Sequence, residues 1–466
     1  MRKSTDKPAR HEPRLLSPAE RRDRGRALRE KVPREKHSEW KAPKDRRSSL
    51  DLLRANDEGR LPELLPIRYG RMAQSAFGFY RGSPVVMAAD LSHTPSSGIL
   101  VQACGDAHLK NFGAFATPER NIIFDLNDFD ETLRAPWEWD LKRLAASVVV
   151  ASRQNGFSER DGARAARGAV TAYREQMAEY SRMKVLDVWY DKITVDDVLR
   201  SIPSAAIQKR LQKRVEDEQS KSTPEYLFPK LVVHQGATPR IKDAPPLIYH
   251  MPDIQRRAEH SGATAKTLAD YRASLAEHLR VLFDRYRYRD MAIKVVGVGS
   301  VGTMCTVVLF TAADEDPLFL QVKEARASVL EPYAGKSPYE SHGQRVIEGL
   351  RLMQAASDIF LGYTHGHGVD RDFYVRQLRD VKVGALVETM DVETLRFYAR
   401  LCGRALARAH ARSGDPATLS GYMGSSRVFD EAVAEFAVAY ADQAERDHRK
   451  LLDAIRDGKI RTINEA

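Results

Sequence analysis

The sequence predicts an α+β protein of two lobes. Two separate patches of β-branched and aromatic runs lie near 98–126 and 292–322, and long stretches of helical apolar spacing stand between and after them. The chain is 466 residues long, 42% hydrophobic and 30% charged, enough for two to three domains and a substantial core. Its longest apolar run, Leu144 to Ala151, is too short to span a bilayer, and no apolar segment follows the basic N-terminal residues as a secretory signal requires. Cys104, Cys305 and Cys402 are widely spaced, which argues against a disulfide framework and predicts a cytoplasmic protein.

Of the net charge of +10, nearly all sits at the front: residues 1–50 hold 17 Lys/Arg against 8 Asp/Glu. With little apolar periodicity there, residues 1–59 read as a basic, disordered arm. By charge alone, such an arm can make weak contact with nucleic acid or an anionic surface, but no nucleic-acid-reading motif follows it. The apolar segment from Leu61 to Gly82 predicts that folding begins near residue 60. The expected organisation is a catalytic, helical lobe over 60–290, a Gly-rich nucleotide-binding β lobe over 291–390, and C-terminal helices over 391–466 that return to the first lobe.

Strands are expected at 98–104 and 121–126, each closed by Gly or Asp turn chemistry. From Trp139 the apolar period becomes helical, through Leu141, Leu144, Ala145, Val148 and Val149, and Asn155-Gly156 stops it. Further helices are expected at 159–183 and 268–288, after a break at 242–246. Short β runs follow at 292–296, 306–310 and 318–322, the last two parted by the turn at 314–317. A helix at 340–357, a strand at 373–377 and helices at 393–412 and 427–457 complete the chain.

Gly297-Val298-Gly299-Ser300-Val301-Gly302 fits the pattern G-x-G-x-x-G. A dinucleotide fold needs a helix directly after the glycines, whereas 303–311 (TMCTVVLFT) is β-branched and reads as a strand. Strand, Gly loop, strand is the arrangement that drapes backbone N–H groups over ATP, so Gly297, Gly299, Ser300 and Gly302 become candidate nucleotide contacts. The next run ends in Lys323, placed to meet a phosphate, and the helix after it offers Glu348 beside Ile347 and Leu350 as the carboxylate that orients that lysine.

The second candidate segment is Gly105-Asp106-Ala107-His108-Leu109-Lys110-Asn111. An Asp with an Asn five positions on suits a hydroxyl-activating Asp106 and an Mg²⁺-ligating Asn111. Asn127-Asp128-Phe129-Asp130 follows, with Asp128 and Asp130 as further hard-oxygen ligands. Four carboxylates within 125–131 require cationic partners. His108, a poor Mg²⁺ ligand, is expected to brace the loop by a hydrogen bond, and Asp140 to cap its helix or buttress the loop from below.

The strings CGDAHLKNFG, FDLNDFDE and PWEWDLKRLAAS resemble the catalytic core of aminoglycoside phosphotransferases and choline kinases. The chain from about Gly25 onward is similar to a bacterial family of unknown function, the DUF2252 domain family, through PIRYGRM, FYRG, GDAHLKNFG, LFLQVKEA, VLEPY, RLMQAASDIFLG and YVRQLRD. The first resemblance implies a protein-kinase-like fold using ATP and Mg²⁺. It places Asp106 at the catalytic position, Asn111 and Asp128 at the metal positions, and Lys323 at the phosphate-lysine position. Cys104 departs from it, standing where those enzymes carry His. The order departs too, because the catalytic segment precedes the Gly loop. Joining 292–412 ahead of 98–150 restores the usual order, which predicts a circular permutation.

The expected activity is transfer of a phosphoryl group from ATP to the hydroxyl of a small molecule or protein. Arg68, Tyr69, Phe77, Phe79, Tyr80 and Arg81 either shape the acceptor pocket or pack in the core. A nucleotidyltransferase and an ATP-binding pseudoenzyme use the same residues. A two-metal phosphoesterase would use Asp106, His108, His365 and His367, but the Gly-Asn-His segment that such sites need is missing.

Overall fold

The structure, a computed structural model, describes residues 15–463 except 203–204, 222–223, 237, 252–261, 314–315 and 379–380. It is a mixed α/β protein with several antiparallel sheets. The largest sheet has six strands, in the order Gly362–Gly366, Arg371–Gln377, Pro317–Glu324, Cys305–Thr311, Arg287–Lys294 and Ile248–Tyr249. Alternation along each strand gives the sheet two faces. Val308, Phe310, Leu320 and Val375 pack on one, under Tyr271, Leu275 and Phe283. Ala292, Val307, Leu309 and Phe319 pack on the other, with Val232 and Ile241. Lys323, four residues beyond Phe319, takes the second face.

The single helix expected at 268–288 is two helices, Ala263–Ser274 and Glu277–Phe283, followed by a strand from Arg287. Leu275 is extended at the break and buried against the sheet, and the ladder to Cys305–Thr311 claims the last residues of the apparent helical repeat. Strands Val232–Gln235, Thr238–Ile241 and Ile248–Tyr249 and helices Ala263–Ser274 and Glu277–Phe283 therefore pack with the β lobe, ahead of the expected boundary at 290. Part of the predicted turn at 314–317 lies outside the described residues.

The remaining chain forms a four-stranded sheet and a helical body. The sheet runs Lys382–Gly384, Phe112–Ala116, Ile122–Leu126 and Ile193–Thr194. The body holds Trp137–Gln154, Glu159–Tyr180, Val392–Ser413 and Val428–Arg456, close to the expected bounds. Gly403 lets two of these helices nearly touch, since a Cβ there would lie 2.1 Å from the carbonyl oxygen of Ala169.

The N-terminal segment is a correction, because residues 15–59 are not disordered; residues 1–14 of the expected arm lie outside the described residues. Helix Pro18–Ala27 starts at a Ser17/Glu20 capping box and packs Gly25 against the carbonyl of Thr418. Arg29 donates to the carbonyl of Tyr422 at 2.8 Å. Arg46 joins the buried carboxylates of Asp90 and Asp447 at 2.7 and 2.6 Å. Arg21, Arg29, Arg34 and Arg46, read as part of a solvated tail, are thus spent on specific partners far along the chain.

His37 tests this docking. It is fully buried, with Nε2 2.6 Å from the Tyr422 hydroxyl, and burial followed by Lys142 pulls its pKa from 6.5 to about 3. Between those values the unfolded chain binds the extra proton, so this group lowers stability as pH falls from 6.5 toward 3. In urea unfolding across that range, His37→Gln is expected to show a shallower pH dependence than wild type. An identical slope would mean that His37 titrates as if unburied.

Candidate active-site cleft

The loop at 104–111 is bolted to helix Trp137–Gln154 through one face of that helix. Asp140 accepts from the backbone N–H groups of Cys104 and Gly105 at 2.7 and 3.0 Å. One turn on, Arg143 holds the Asp106 carboxylate through Nε at 2.6 Å and Nη2 at 2.5 Å. Ser147 accepts from the Leu109 N–H at 3.1 Å. Spacings of three and four residues align the three side chains. Gly105 is required where the loop turns: its φ is +80°, and a Cβ would stand 2.4 Å from the carbonyl oxygen of Glu131.

Asp140 thus buttresses the loop from below, and His410 adds a ring contact at 3.2 Å. Asp140→Ala leaves two buried N–H groups without partners, at about 1–3 kcal/mol each. Urea unfolding is expected to register that loss; unchanged stability would mean the two groups find other acceptors.

Asn111 ties the two acidic segments together. Its Nδ2 donates to the carbonyls of Asp106 and Asp128, both at 3.0 Å, and its Oδ1 accepts from the Asp128 N–H at 2.7 Å. Of the crowded carboxylates, Asp125 is fully buried against Arg408 at 2.8 Å, and Glu131 accepts from the Val329 N–H at 2.7 Å. Burial raises Asp106 to about 6 despite Arg143, and Glu131 to about 7. His108 does not brace the loop with its ring: Nδ1 is buried without a partner, Nε2 stays 3.7 Å from Asp106, and the backbone N–H makes the turn to the Asp106 carbonyl.

The Gly-rich segment is a loop between two strands, as expected, with positive φ at Gly297 (+70°) and Gly302 (+89°). Its carbonyls are held by partners that the sequence does not advertise. Gly299 and Val301 accept from Arg60 at 2.9 and 2.7 Å, Gly297 accepts from Arg71, and Gly302 accepts from the Leu61 N–H at 2.7 Å. Ser300 reaches the acidic segment, donating to Asp130 at 3.0 Å.

Lys323 lies between these parts, 3% exposed, with its ammonium 2.9 Å from Asp130 and 3.4 Å from Asp128. Burial works against its charge, but Asp128 and Asp130 hold its pKa well above the ordinary value. Glu348 does not take the expected role: it pairs with Arg351 at 3.2 Å on the outer side of helix His342–Met353. Gly349 presses on Thr132, and Arg345 points inward to the carbonyls of Asp130, Thr132 and Arg326, so the helical phase turns Glu348 outward. Asp130 holds the lysine instead, its own position fixed by the Tyr374 hydroxyl at 2.5 Å. Asp130 was expected as a metal ligand; both of its oxygens are engaged by Lys323, Tyr374 and Ser300.

Two adjoining cavities share Asn127, Asp128, Gly297 and Ser300. One, about 340 Å³, runs beneath the loop past Lys323, Leu350, Gln354 and Leu378. The other, about 230 Å³ and largely polar, contains Asp106, Asn111, Asp130 and Arg81. Phe77, Phe79 and Tyr80 are core residues and Arg68 pairs with Asp57, leaving Arg81 as the one member of that predicted group that lines the cleft. His365 bonds Asp370 and Asp372, and His367 bonds Asp270, so the hydrolase assignment has these imidazoles in other pairs.

Among the described residues, no group of three or more His, Cys, Asp or Glu is arranged to hold a metal by itself. Mg²⁺ does not need one, since it usually takes one or two carboxylates and completes its shell with water and phosphate. Asp128, 44% exposed, and the amide oxygen of Asn111 are oxygen donors of the right chemistry.

The fold and site define a mixed α/β protein with a polar cleft between a Gly-loop sheet and an acidic hairpin. The chain belongs to the bacterial family described as "Uncharacterized protein conserved in bacteria (DUF2252)", whose pattern matches residues 60–454. No curated protein and no solved structure matches it. Among the described residues no helix is long and apolar enough to cross a membrane.

Proposed function

We propose that this chain is an ATP- and Mg²⁺-dependent phosphotransferase of the kinase-like class, with its lobes in permuted order, acting on a hydroxyl acceptor. One observation carries the reading: Lys323, below the Gly-rich loop, meets Asp128 and Asp130 at 3.4 and 2.9 Å, although almost two hundred residues separate them. A Gly loop, a strand lysine, an Asp/Asn pair and a second Asp are the parts that phosphoryl transfer requires, and they line two adjoining cavities that meet at Asp128, Gly297 and Ser300.

In this reading the nucleotide occupies the cavity beside Lys323. The loop carbonyls are tied back by Arg60 and Arg71, and in this reading the backbone N–H groups of Gly299 and Ser300 meet phosphate oxygens. Asn111 and Asp128 would hold Mg²⁺, which neutralises charge on the phosphates when bound. Asp106, fixed by Arg143, accepts the proton of the attacking hydroxyl. The new bond joins acceptor oxygen to the γ-phosphorus, the bond to the β-bridging oxygen breaks, and ADP leaves with that electron pair. The permutation rests on the same meeting of segments, since placing 292–412 before 98–150 restores the usual order of these parts.

The test is incubation of purified protein with Mg²⁺ and ATP labelled separately at the α- and γ-phosphates. Transfer or release of γ-label, lost in Asp106→Ala and Asp128→Ala, supports phosphoryl transfer. Transfer of α-label replaces it with nucleotidyl transfer, and nucleotide binding without loss of either label makes the protein a pseudoenzyme.

A further inference from the structure

We propose that the acceptor carries an oxyanion, a phosphate or carboxylate, which Arg81 receives in the cavity containing Asp106. This deepens the phosphotransferase reading and rests on it for the word acceptor; the anion site itself stands on the geometry around Arg81.

The other cations along that cavity are already engaged. Arg60 spends its guanidinium on Gly299, Val301 and Asn56. Arg326 donates to the carbonyls of Asn56 and Glu58, and Lys110 pairs with Glu388. Arg143, behind the loop, holds Asp106. Arg81 differs: among the described residues no carboxylate lies within ion-pair distance of it, and its Nε is buried without a hydrogen-bond partner. The acids whose field reaches it, Asp106 and Glu388, are those committed to Arg143 and Lys110, and Arg71 adds a second positive charge nearby. His108, which lines the same cavity, has a buried and unpartnered Nδ1.

A desolvated guanidinium with an unmade hydrogen bond is costly, and an oxyanion is the group that offsets the cost, because the planar fork matches its oxygens. The acids of the cavity do not already serve that purpose: Asp130 belongs to Lys323 and Tyr374, Glu324 pairs with Arg371 at 2.6 Å, and Glu131 caps Val329. Arg81 ends helix Ala76–Gly82 beneath the Gly loop, where Gly299 approaches its carbonyl. Arg81 borders two cavities, one shared with Arg71 and Glu388 and one shared with Asp106; the anion is assigned to the second, which Asp106 lines and Lys323 does not.

The experiment titrates inorganic phosphate into the intact protein, followed by ³¹P line broadening, with and without saturating Mg²⁺ and the non-hydrolysable ATP analogue AMP-PNP. Phosphate is expected to bind with the nucleotide cleft filled. Arg81→Met is expected to weaken that binding at least tenfold and Arg81→Lys to recover part of it, with each variant's fold checked by circular dichroism and urea unfolding. Equal phosphate affinity in wild type and a folded Arg81→Met overturns the proposal, as does phosphate binding that AMP-PNP abolishes. Should Arg81→Met not fold, Arg81→Lys decides: affinity equal to wild type at high ionic strength, where a non-specific charge effect is screened, contradicts the fork-specific site. If AMP-PNP itself fails to bind, the nucleotide reading falls, and the titrations without it still report on Arg81.

Discussion

Asp106→Asn is expected to lower γ-phosphoryl transfer by about 10²- to 10⁴-fold, the range that a positioned general base supplies. The amide keeps the side chain's shape but cannot take the proton of the acceptor hydroxyl. It also leaves Arg143, whose side chain is 3% exposed, facing a neutral partner, so some stability is lost together with activity. ATP affinity separates the two effects, because Asp106 does not line the Lys323 cavity. Rate lost with nucleotide affinity retained supports the assignment. A folded Asp106→Asn protein with wild-type turnover removes Asp106 from the chemistry.

The largest effect on stability is expected at Arg408. This guanidinium and the carboxylate of Asp125 are both fully buried, 2.8 Å apart, with Arg408 also donating to the Met353 carbonyl at 2.5 Å. Arg408→Met strands a buried carboxylate, and losing one member of such a pair costs about 3–5 kcal/mol. The backbone N–H groups of Leu126 and Ala355 still bond Asp125, which keeps the cost from rising further. Removing both charges in Asp125→Leu/Arg408→Met is expected to recover much of the loss, since the desolvation of both ions disappears together. Urea unfolding of the two single variants and the double variant measures the coupling. Additive losses would mean the charges do not depend on one another.

Which parts of the site the sequence reveals follows from how far apart the partners lie. Asp106 and Asn111 are five residues apart, and Asp128 follows after one hairpin, so local spacing identifies them. The Gly loop reads correctly because the β-branched run after it excludes a helix. Lys323 is legible as the end of the third strand of that lobe. Its partner is not: Asp130 reaches it across 193 residues, and a single sequence does not rank Asp130 above Glu348. The phase of helix His342–Met353 does discriminate, because Gly349 and Arg345 mark the inward face and place Glu348 outside it.

Arg143 and Ser147 are within reach of the pattern at 140, 143 and 147, given Asp140 as the loop's support. Arg60 and Arg71 carried no such signal. They clamp a loop more than 220 residues away, through backbone carbonyls that any sequence supplies. The N-terminal segment misled for a related reason. Arginines that pair with Asp90, Asp415 and Asp447 read locally as a solvated basic arm, and their partners lie up to 401 residues away. The expected helix at 268–288 failed because apolar spacing over 20 residues cannot report the strand pairing that begins at Arg287.

The most direct measurement is a calorimetric titration of ATP into the intact protein with and without Mg²⁺, repeated with Lys323→Met and Asp128→Asn. The account predicts Mg²⁺-dependent binding that Lys323→Met weakens at all Mg²⁺ concentrations and that Asp128→Asn makes insensitive to Mg²⁺. ATP binding that is absent in the wild type, or unchanged in both folded variants, would contradict it.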